Sequence, residues 1–333
     1  MDLYLPNGYL NMAGVLTDPH PFIVVVGARG TGKTYGTLEA VKEHNIRFAY
    51  FRRTAKILEL IMDPALHIYK KLNAARGWRV KPEYARGLGR FYDEDSGEYI
   101  GIATALSTFA NTRGFSGEDI ELLIYDEFIP EPTERVLFNA YTALLNAIET
   151  IGRNRELEGR PPLKVLLLSN SDKIYSDIIA GLGIGDKLLY MQENGQEVME
   201  VSSDLLLIRP ASEVFTAAKK DTVLYRLTAG QSYADVALAN NFPIEDRSRI
   251  GPQPLNEYRP LALVRGICIY KHKNGGRYFV TRKVSGSPKT YDDTEADLRR
   301  YIRENGPIWN AHQRRKVYFS GIDVQTEFKN LYE

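Results

Sequence analysis

The chain has 333 residues, of which 44% are hydrophobic and 26% charged, with a formal net charge of +1. This is the composition of an ordinary soluble globular protein of about two domains. One cysteine, Cys268, excludes an internal disulfide and fits a cytosolic setting, and no secretory leader or membrane-spanning apolar run is read.

Charge is unevenly spread. From residue 256 onward there are 15 Lys and Arg against 9 Asp and Glu, while the rest of the chain has 28 against 33. A basic C-terminal third suits a polyanionic partner or a solvated basic face.

Residues 1 to about 20 read as a polar lead-in with an apolar fringe. The run Phe22–Val26 then reads as a buried strand. It leads into Gly27-Ala28-Arg29-Gly30-Thr31-Gly32-Lys33-Thr34, which fits the pattern G-x-x-x-x-G-K-[ST] at every fixed position. Tyr35–Lys42 can continue as a helix. Strand, loop and helix together are the context a P-loop requires. Its backbone N–H groups and the helix N-terminus would cradle the phosphates of ATP. Lys33 would reach the β- and γ-phosphates, and Thr34 would bind Mg²⁺.

A strand at Ile46–Phe51 ends in Arg52 and Arg53, which suit phosphate, whether of nucleotide or DNA, or nearby acids. Two strand-like runs around Asp95-Ser96-Gly97 suggest an inserted hairpin. Arg113, in the loop that follows, is a weaker phosphate candidate. The strand Glu121–Tyr125 delivers Asp126 and Glu127. Asp126 would hold the Mg²⁺ shell and Glu127 would polarise the attacking water. A helix over Val136–Ile151 is followed by Arg153 and Arg155. Either could act on a neighbouring subunit's nucleotide, or simply favour the helix C-terminus. The strand Lys164–Leu168 leads to Asn170, placed to contact the γ-phosphate or the attacking water. Alternating strands and helices argue for an α/β domain with a mainly parallel central sheet.

Two helices are expected at Ser212–Leu227 and Ala229–Asn241. Pro252-Gln-Pro254 reads as a linker. Strands are expected at Leu261–Tyr270, where Cys268 would be a core residue, and at Arg277–Val284. A helix is expected over Thr294–Arg303, with Thr294 and Asp297 as its capping pair. The domains are therefore expected at 1–205, a linker region at 206–255, and a smaller α+β domain at 256–333.

These residues together resemble the genome-packaging ATPases of small tailed phages of the phi29 type. The matching stretches are Val26–Tyr35, Phe48–Arg53, Ile124–Ile129, Leu144–Asn146 with Arg153–Glu156, and Leu167–Asn170. The likeness fades beyond about residue 205. It implies an ASCE-type P-loop ATPase that forms a homopentameric ring on the portal of an empty prohead and drives double-stranded DNA through it. It places Arg153 as the trans-acting arginine finger and Arg52 and Arg53 on the family's basic pair. Lys56 lies one residue out of register with a family lysine that acts across subunits. The implied setting is the host cytoplasm, transiently at the portal vertex, with no membrane. Whether a structural packaging RNA takes part stays open.

The family's C-terminal domain looks like an RNase H-type nuclease without its chemistry. Here Gly266–Tyr270 carries no acid, Asp292, Asp293, Glu295 and Asp297 sit at a helix start, and Asp323 and Glu327 read as isolated. A binding and docking module is therefore expected, its basic side formed by Lys271, Lys273, Arg277, Arg314, Arg315 and Lys316. Two alternatives remain: a terminase-like motor with an active nuclease, and a nucleotide-gated portal scaffold with negligible turnover.

Overall fold

The structure, a computed structural model, describes residues 2–109, 117–130, 137, 139–170, 176–228 and 247–332. Arg113 and the expected helix at 229–241 lie outside these residues. The chain divides into two units: Met1–Asp172 with Met191–Phe242, and Lys173–Tyr190 with Pro243–Glu333.

The first unit is built on one sheet. Its strands are β1 (Phe22–Val26), β2 (Phe48–Arg52), β3 (Val80–Ala85), β4 (Leu88–Asp93), β5 (Tyr99–Ala105), β6 (Leu122–Asp126), β7 (Lys164–Ser169), β8 (Val198–Ser202) and β9 (Leu205–Ile208). Their order is β3-β4-β5-β2-β6-β7-β1-β9-β8. The run from β5 to β9 is parallel, and antiparallel partners close both edges. Central strands such as Phe22-Ile-Val-Val-Val26 are apolar at every position, as a sheet covered on both faces requires. Edge strand β8 instead alternates between exposed and half-buried positions.

The helices are α1 (Met12–Leu16), α2 (Lys33–Glu43), α3 (Ala55–Ile61), α4 (Lys70–Arg76), α5 (Leu106–Phe109) and α6 (Ala140–Gly152). On one face of the sheet, Ile23, Val25, Phe48, Tyr50, Ile124, Leu166 and Leu168 share a core with Leu38 and Val41 of α2. Each such apolar side chain contributes roughly 1.5–3 kcal/mol on burial, which fixes α2 and the loop before it against β1.

Several expectations are corrected. The hairpin at Asp95-Ser96-Gly97 is present, but β3 and β4 add a second one turning at Arg86-Gly87, both at positive φ. The boundary expected at residue 205 falls inside β9. That strand pairs with β1 and buries Leu206, Leu207 and Ile208, so it completes the first unit rather than opening a linker. Ser212–Leu227 breaks into two helices on either side of Asp221-Thr222.

The second unit takes α7 (Asp177–Leu182) and the start of α8 (Gly185–Glu193) from the middle of the chain. The two short helices of the first unit that follow are α9 (Glu213–Lys220) and α10 (Val223–Leu227). The second unit's sheet contains β10 (Tyr258–Val264), β11 (Ile267–His272), β12 (Tyr278–Thr281), β13 (Lys289–Tyr291) and β14 (Val317–Phe319), ordered β13-β10-β11-β12-β14. Two further helices, α11 (Glu295–Gln313) and α12 (Ile322–Asn330), bring Tyr301, Ile308 and Phe328 into its core.

The run expected as one strand, Leu261–Tyr270, is two strands folding back at Arg265-Gly266. The helix expected to stop at Arg303 continues to Gln313 through a kink at Asn305. Pro307 interrupts the hydrogen-bond ladder, yet it fits the first turn of the resumed helix, where an N–H has no partner to lose. The Thr294 side chain caps α11 by accepting from the Asp297 N–H. Cys268 is fully buried, as expected of a core residue. Among the described residues no helix is long and apolar enough to cross a membrane.

Candidate functional site

Parallel pairing lines up four strand ends. Val26 of β1 lies opposite Ser169 of β7, Leu168 opposite Asp126 of β6, and Tyr125 opposite Phe51 of β2. The next residues of these strands therefore meet at one sheet edge, the carboxyl end, where open α/β sheets bind ligands. A cavity of about 870 Å³ opens there, lined in part by residues 29–36, Asp126, Glu127, Ser169 and Asn170.

The loop from Gly27 to Thr34 crosses from β1 into α2. Gly30 and Gly32 hold φ of 82° and 92°, a left-handed conformation that strains any side chain. A Cβ on Gly32 would also come within 3.1 Å of the Tyr9 ring. The Lys33 ammonium is buried and donates to the Gly27 and Ala28 carbonyls at 2.9 and 2.8 Å and to Asn170 Oδ1 at 3.3 Å. One cation thus links the loop to the end of β7, with only neutral oxygens as these acceptors. Thr31 closes the loop by donating to the Ala28 carbonyl.

Thr34 donates its hydroxyl to Asp126 Oδ2 at 2.7 Å, and Tyr50 donates to the same oxygen at 2.7 Å. The Arg52 guanidinium lies 3.6 Å from Asp126 and pairs directly with Glu127. Burial opposes the charge on Arg52, but Tyr50, Asp126 and Glu127 outweigh it and hold its pKa above the ordinary value. Burial first, and then Asp126, push the Tyr50 phenol upward, so it stays a donor. Glu127 sits at φ 55°, and its side chain is 43% exposed. Asp126 is buried while its neighbour faces the cavity.

Period-two geometry separates the adjacent arginines. Tyr50 and Arg52 share the face that meets the acids; Arg53 is buried and does not line the cavity. Arg155, a candidate for the trans-acting role, is buried and donates to the Ile120 carbonyl at 2.7 Å, so it braces the start of β6. Arg153 differs. It caps α6 at φ 45°, is 42% exposed, and lies 3.6 Å from Glu118, away from the cavity lining of its own chain. Lys56 is exposed on α3 and likewise outside the lining.

Sequence reasoning missed several residues. Tyr50 escaped because a tyrosine in an apolar strand reads as core, although its i, i+2 relation to Arg52 was the available signal. Tyr9 packs on the loop and edge-on to Phe215 of α9 at 5.4 Å. Lys219 of the same helix donates to the Arg29 carbonyl.

The second unit corrects a further expectation. Asp323 and Glu327 are not isolated. Arg265 meets Asp177 at 2.7 Å, Glu327 at 3.2 Å and Asp293 at 3.4 Å. Asp323 accepts from the Gly185 N–H and Asp186 accepts from the Ile322 N–H, so each acid caps the other's helix. Burial pushes Asp323 up to about 6, with Asp186 adding to it, and burial pushes Glu327 up to about 7.

The fold and site define a mixed α/β protein whose large, mainly parallel sheet presents a glycine-rich loop, two acids and an amide at one edge. Residues 4–251 match the family described as Podovirus DNA encapsidation protein (Gp16), and the chain belongs to that family. It is similar to the DNA packaging proteins of Bacillus phage phi29 and Bacillus phage PZA. Each is 25% identical over 227 residues, which cover 66% of this chain and 61% of the relative. The matched region thus spans about three fifths of the relatives' length. Among solved structures, the Phi-28 gp11 DNA packaging motor superposes with a TM-score of 0.66 at 18% identity, covering 97% of this chain and 96% of its own. The bacteriophage Phi-29 viral genome packaging motor assembly gives 0.62 at 19%, covering 97% and 98%. The resemblance read from the residues and the family agree, and the shared fold runs well past residue 205.

Proposed function

We propose that this chain is the ATP-driven motor of a phage packaging machine, moving double-stranded DNA into an empty prohead. The observation that carries this reading is the convergence of Lys33, Thr34, Asp126, Glu127 and Asn170 at one carboxyl edge of the sheet. Lys33 exchanges its neutral carbonyl acceptors for the β- and γ-phosphates, a stronger charge-assisted contact. Asn170, already touching Lys33, is placed to register the γ-phosphate. Glu127 orients the attacking water once Arg52 releases it.

Mg²⁺ fits the oxygen pair of Thr34 and Asp126, which a hard cation accepts together with substrate phosphates and waters. When bound, it neutralises charge on the phosphates. Arg153, outward and off its own cavity, serves a neighbouring subunit in a homopentameric ring at the portal, as the family resemblance implies. Lys71, Arg76 and Glu39 also line the cavity.

The second unit is a docking module for duplex DNA or the portal, vestigial as a nuclease. Pairing of β11 with β12 and of β12 with β14 gathers Lys271, Lys273, Arg277 and Arg314–Lys316 at one end of its sheet, and all six are exposed. Phosphate contacts alone suit a motor that must pass any sequence, and binding weakens steeply with salt. The setting is the host cytoplasm, at the prohead portal vertex.

The test is the steady-state ATPase rate with and without linear duplex DNA and proheads at low salt. Stimulation abolished by Glu127→Gln supports the motor. No turnover with DNA and proheads both present rejects it in favour of a scaffold. Arg153→Ala should bind ATP and lose turnover about 10³–10⁵-fold, and mixing with Glu127→Gln subunits should restore some activity. No recovery at any ratio removes the trans-acting role.

A further inference from the structure

The glycine-rich loop is tied from outside by two segments of the first unit. The N-terminal segment supplies one tie, in which the Leu10 N–H donates to the Thr31 carbonyl at 3.0 Å. Helix α9 supplies the other, in which the Lys219 ammonium donates to the Arg29 carbonyl. The two segments also touch each other. Tyr9 meets Phe215 edge-on, and a Cβ on Gly8 would lie 2.9 Å from the Phe215 nitrogen.

Both ties fall on carbonyls, and each carbonyl shares a planar peptide with the N–H of the next residue. In a trans peptide the C=O and the N–H point in opposite directions. Drawing the Arg29 carbonyl toward α9 therefore turns the Gly30 N–H away from α9. Drawing the Thr31 carbonyl toward Leu10 turns the Gly32 N–H away from Leu10. Gly30 and Gly32 both line the cavity. Backbone donors of this kind are what such a loop offers to the α- and β-phosphates of a nucleotide. Glycine accepts backbone orientations that other residues resist, so a tie from outside selects one of them.

Lys219 is itself held in place. Its ammonium lies 5.4 Å from the centre of the Phe215 ring and 5.1 Å from that of Tyr225 of α10. The Phe215 ring also reaches to 3.5 Å from where a Cβ on Gly30 would stand. Burial, with Arg29 adding to it, lowers the Lys219 pKa from the ordinary lysine value. Lys219 does not line the cavity, so its route to a ligand is the Arg29–Gly30 peptide.

We propose that Lys219 is a positioning residue of the nucleotide site, holding the Arg29–Gly30 peptide so that the Gly30 N–H is presented to the phosphates. The proposal rests on the nucleotide-binding reading of the cavity. It differs from the role of Lys33, which reaches the phosphates with its own ammonium.

Equilibrium binding of ADP and of ATPγS to the full chain, each with Mg²⁺, tests this. Lys219→Gln and Lys219→Arg are compared with the unmodified protein, and thermal transitions establish that all three fold. Lys219→Gln should weaken both nucleotides about tenfold, the scale of one charge-assisted hydrogen bond. The two losses should be equal, because both nucleotides carry the α- and β-phosphates. Lys219→Arg keeps a cationic donor between the two rings and should recover most of the affinity. The loss should persist at high salt, which screens a long-range attraction between charges.

Unchanged affinity in folded Lys219→Gln overturns the positioning role, and a lowered melting temperature beside it would mark a purely structural contact. A loss confined to ATPγS also overturns it, since Lys219 would then act on the γ-phosphate. So does a loss that disappears at high salt, or an equal loss in Lys219→Arg. If the unmodified protein binds neither nucleotide, the nucleotide-binding reading itself falls and takes the role of Lys219 with it.

Discussion

Each unit holds a largely enclosed arginine among carboxylates, and the two clusters differ in how far those carboxylates meet solvent. In the first unit Arg52 pairs with Glu127, whose side chain is 43% exposed at the cavity. In the second, Arg265 pairs with Glu327, whose side chain is 7% exposed. A carboxylate at a cavity mouth can leave its arginine, rehydrate and meet a substrate. A carboxyl sealed in a core cannot rehydrate in this way, and burial favours its neutral form instead. On the proposed reading the Arg52–Glu127 pair is a releasable catch, whereas Glu327 is held in a closed setting whose burial raises its pKa to about 7, and exposure makes the difference.

The sharpest way to break this comparison is to neutralise both glutamates. Glu127→Gln should lower turnover about 10²–10⁴-fold, the range of a positioned general base, with ATP binding intact. Glu327→Gln should leave turnover within a factor of about two, consistent with a closed setting outside the chemistry. Steady-state ATPase and labelled-nucleotide binding measure both, and equal losses would erase the distinction.

Removing the arginines comes next. Arg265→Ala should destabilise the second unit by about 3–5 kcal/mol, the cost of removing one partner of its enclosed ion pair with Asp177. Arg52→Ala should destabilise by only about 1–2 kcal/mol, because Thr34 and Tyr50 still donate to Asp126 and Glu127 can rehydrate. Denaturant titration of each variant gives the two values.

A pH series sharpens the contrast further. The folded Glu327 keeps its proton up to about pH 7, against 4.5 for the ordinary carboxyl. Between those values the folded state binds more protons than the unfolded one, so this group's stabilisation is full below about 4.5 and lost as pH rises through about 7. The native chain should therefore gain a few degrees in Tm relative to Glu327→Gln as pH falls from 8 to about 5.5. Calorimetry that shows parallel pH profiles would contradict the buried setting. The smallest effect is expected from Tyr50→Phe, which removes one hydrogen bond to Asp126, worth about 1 kcal/mol. Its measure is a modest drop in nucleotide-dependent stabilisation.

Much of the first unit was legible because its signals are local. Apolar runs without alternation mark covered parallel strands, and a glycine-rich loop between strand and helix needs only its own residues to be recognised. Asp126 and Glu127 follow from the strand that delivers them. What stayed hidden depends on burial or on partners far along the chain. Arg153 and Arg155 differ by two positions, yet one faces outward and the other is sealed under Ile120. Tyr50 reads as core until its hydroxyl is seen on Asp126. The domain boundary slipped because β9 is defined by its pairing with β1, not by its own composition.

The second unit shows the limit most plainly. The strand after Arg277, the basic residues and the cap at Thr294 could be read directly, since propensity, charge and capping act over a few residues, but the fold-back at Arg265-Gly266 and the strands β13 and β14 could not. That residues 173–190 belong to it, and that Glu327 answers to an arginine 62 positions earlier, could not be read. The sequence determined the loop, the acids and the strand that carries them, because that chemistry is written within one turn or one strand. Tertiary structure alone decided which charges are exposed and which are sealed, because desolvation depends on neighbours that the chain brings together only on folding.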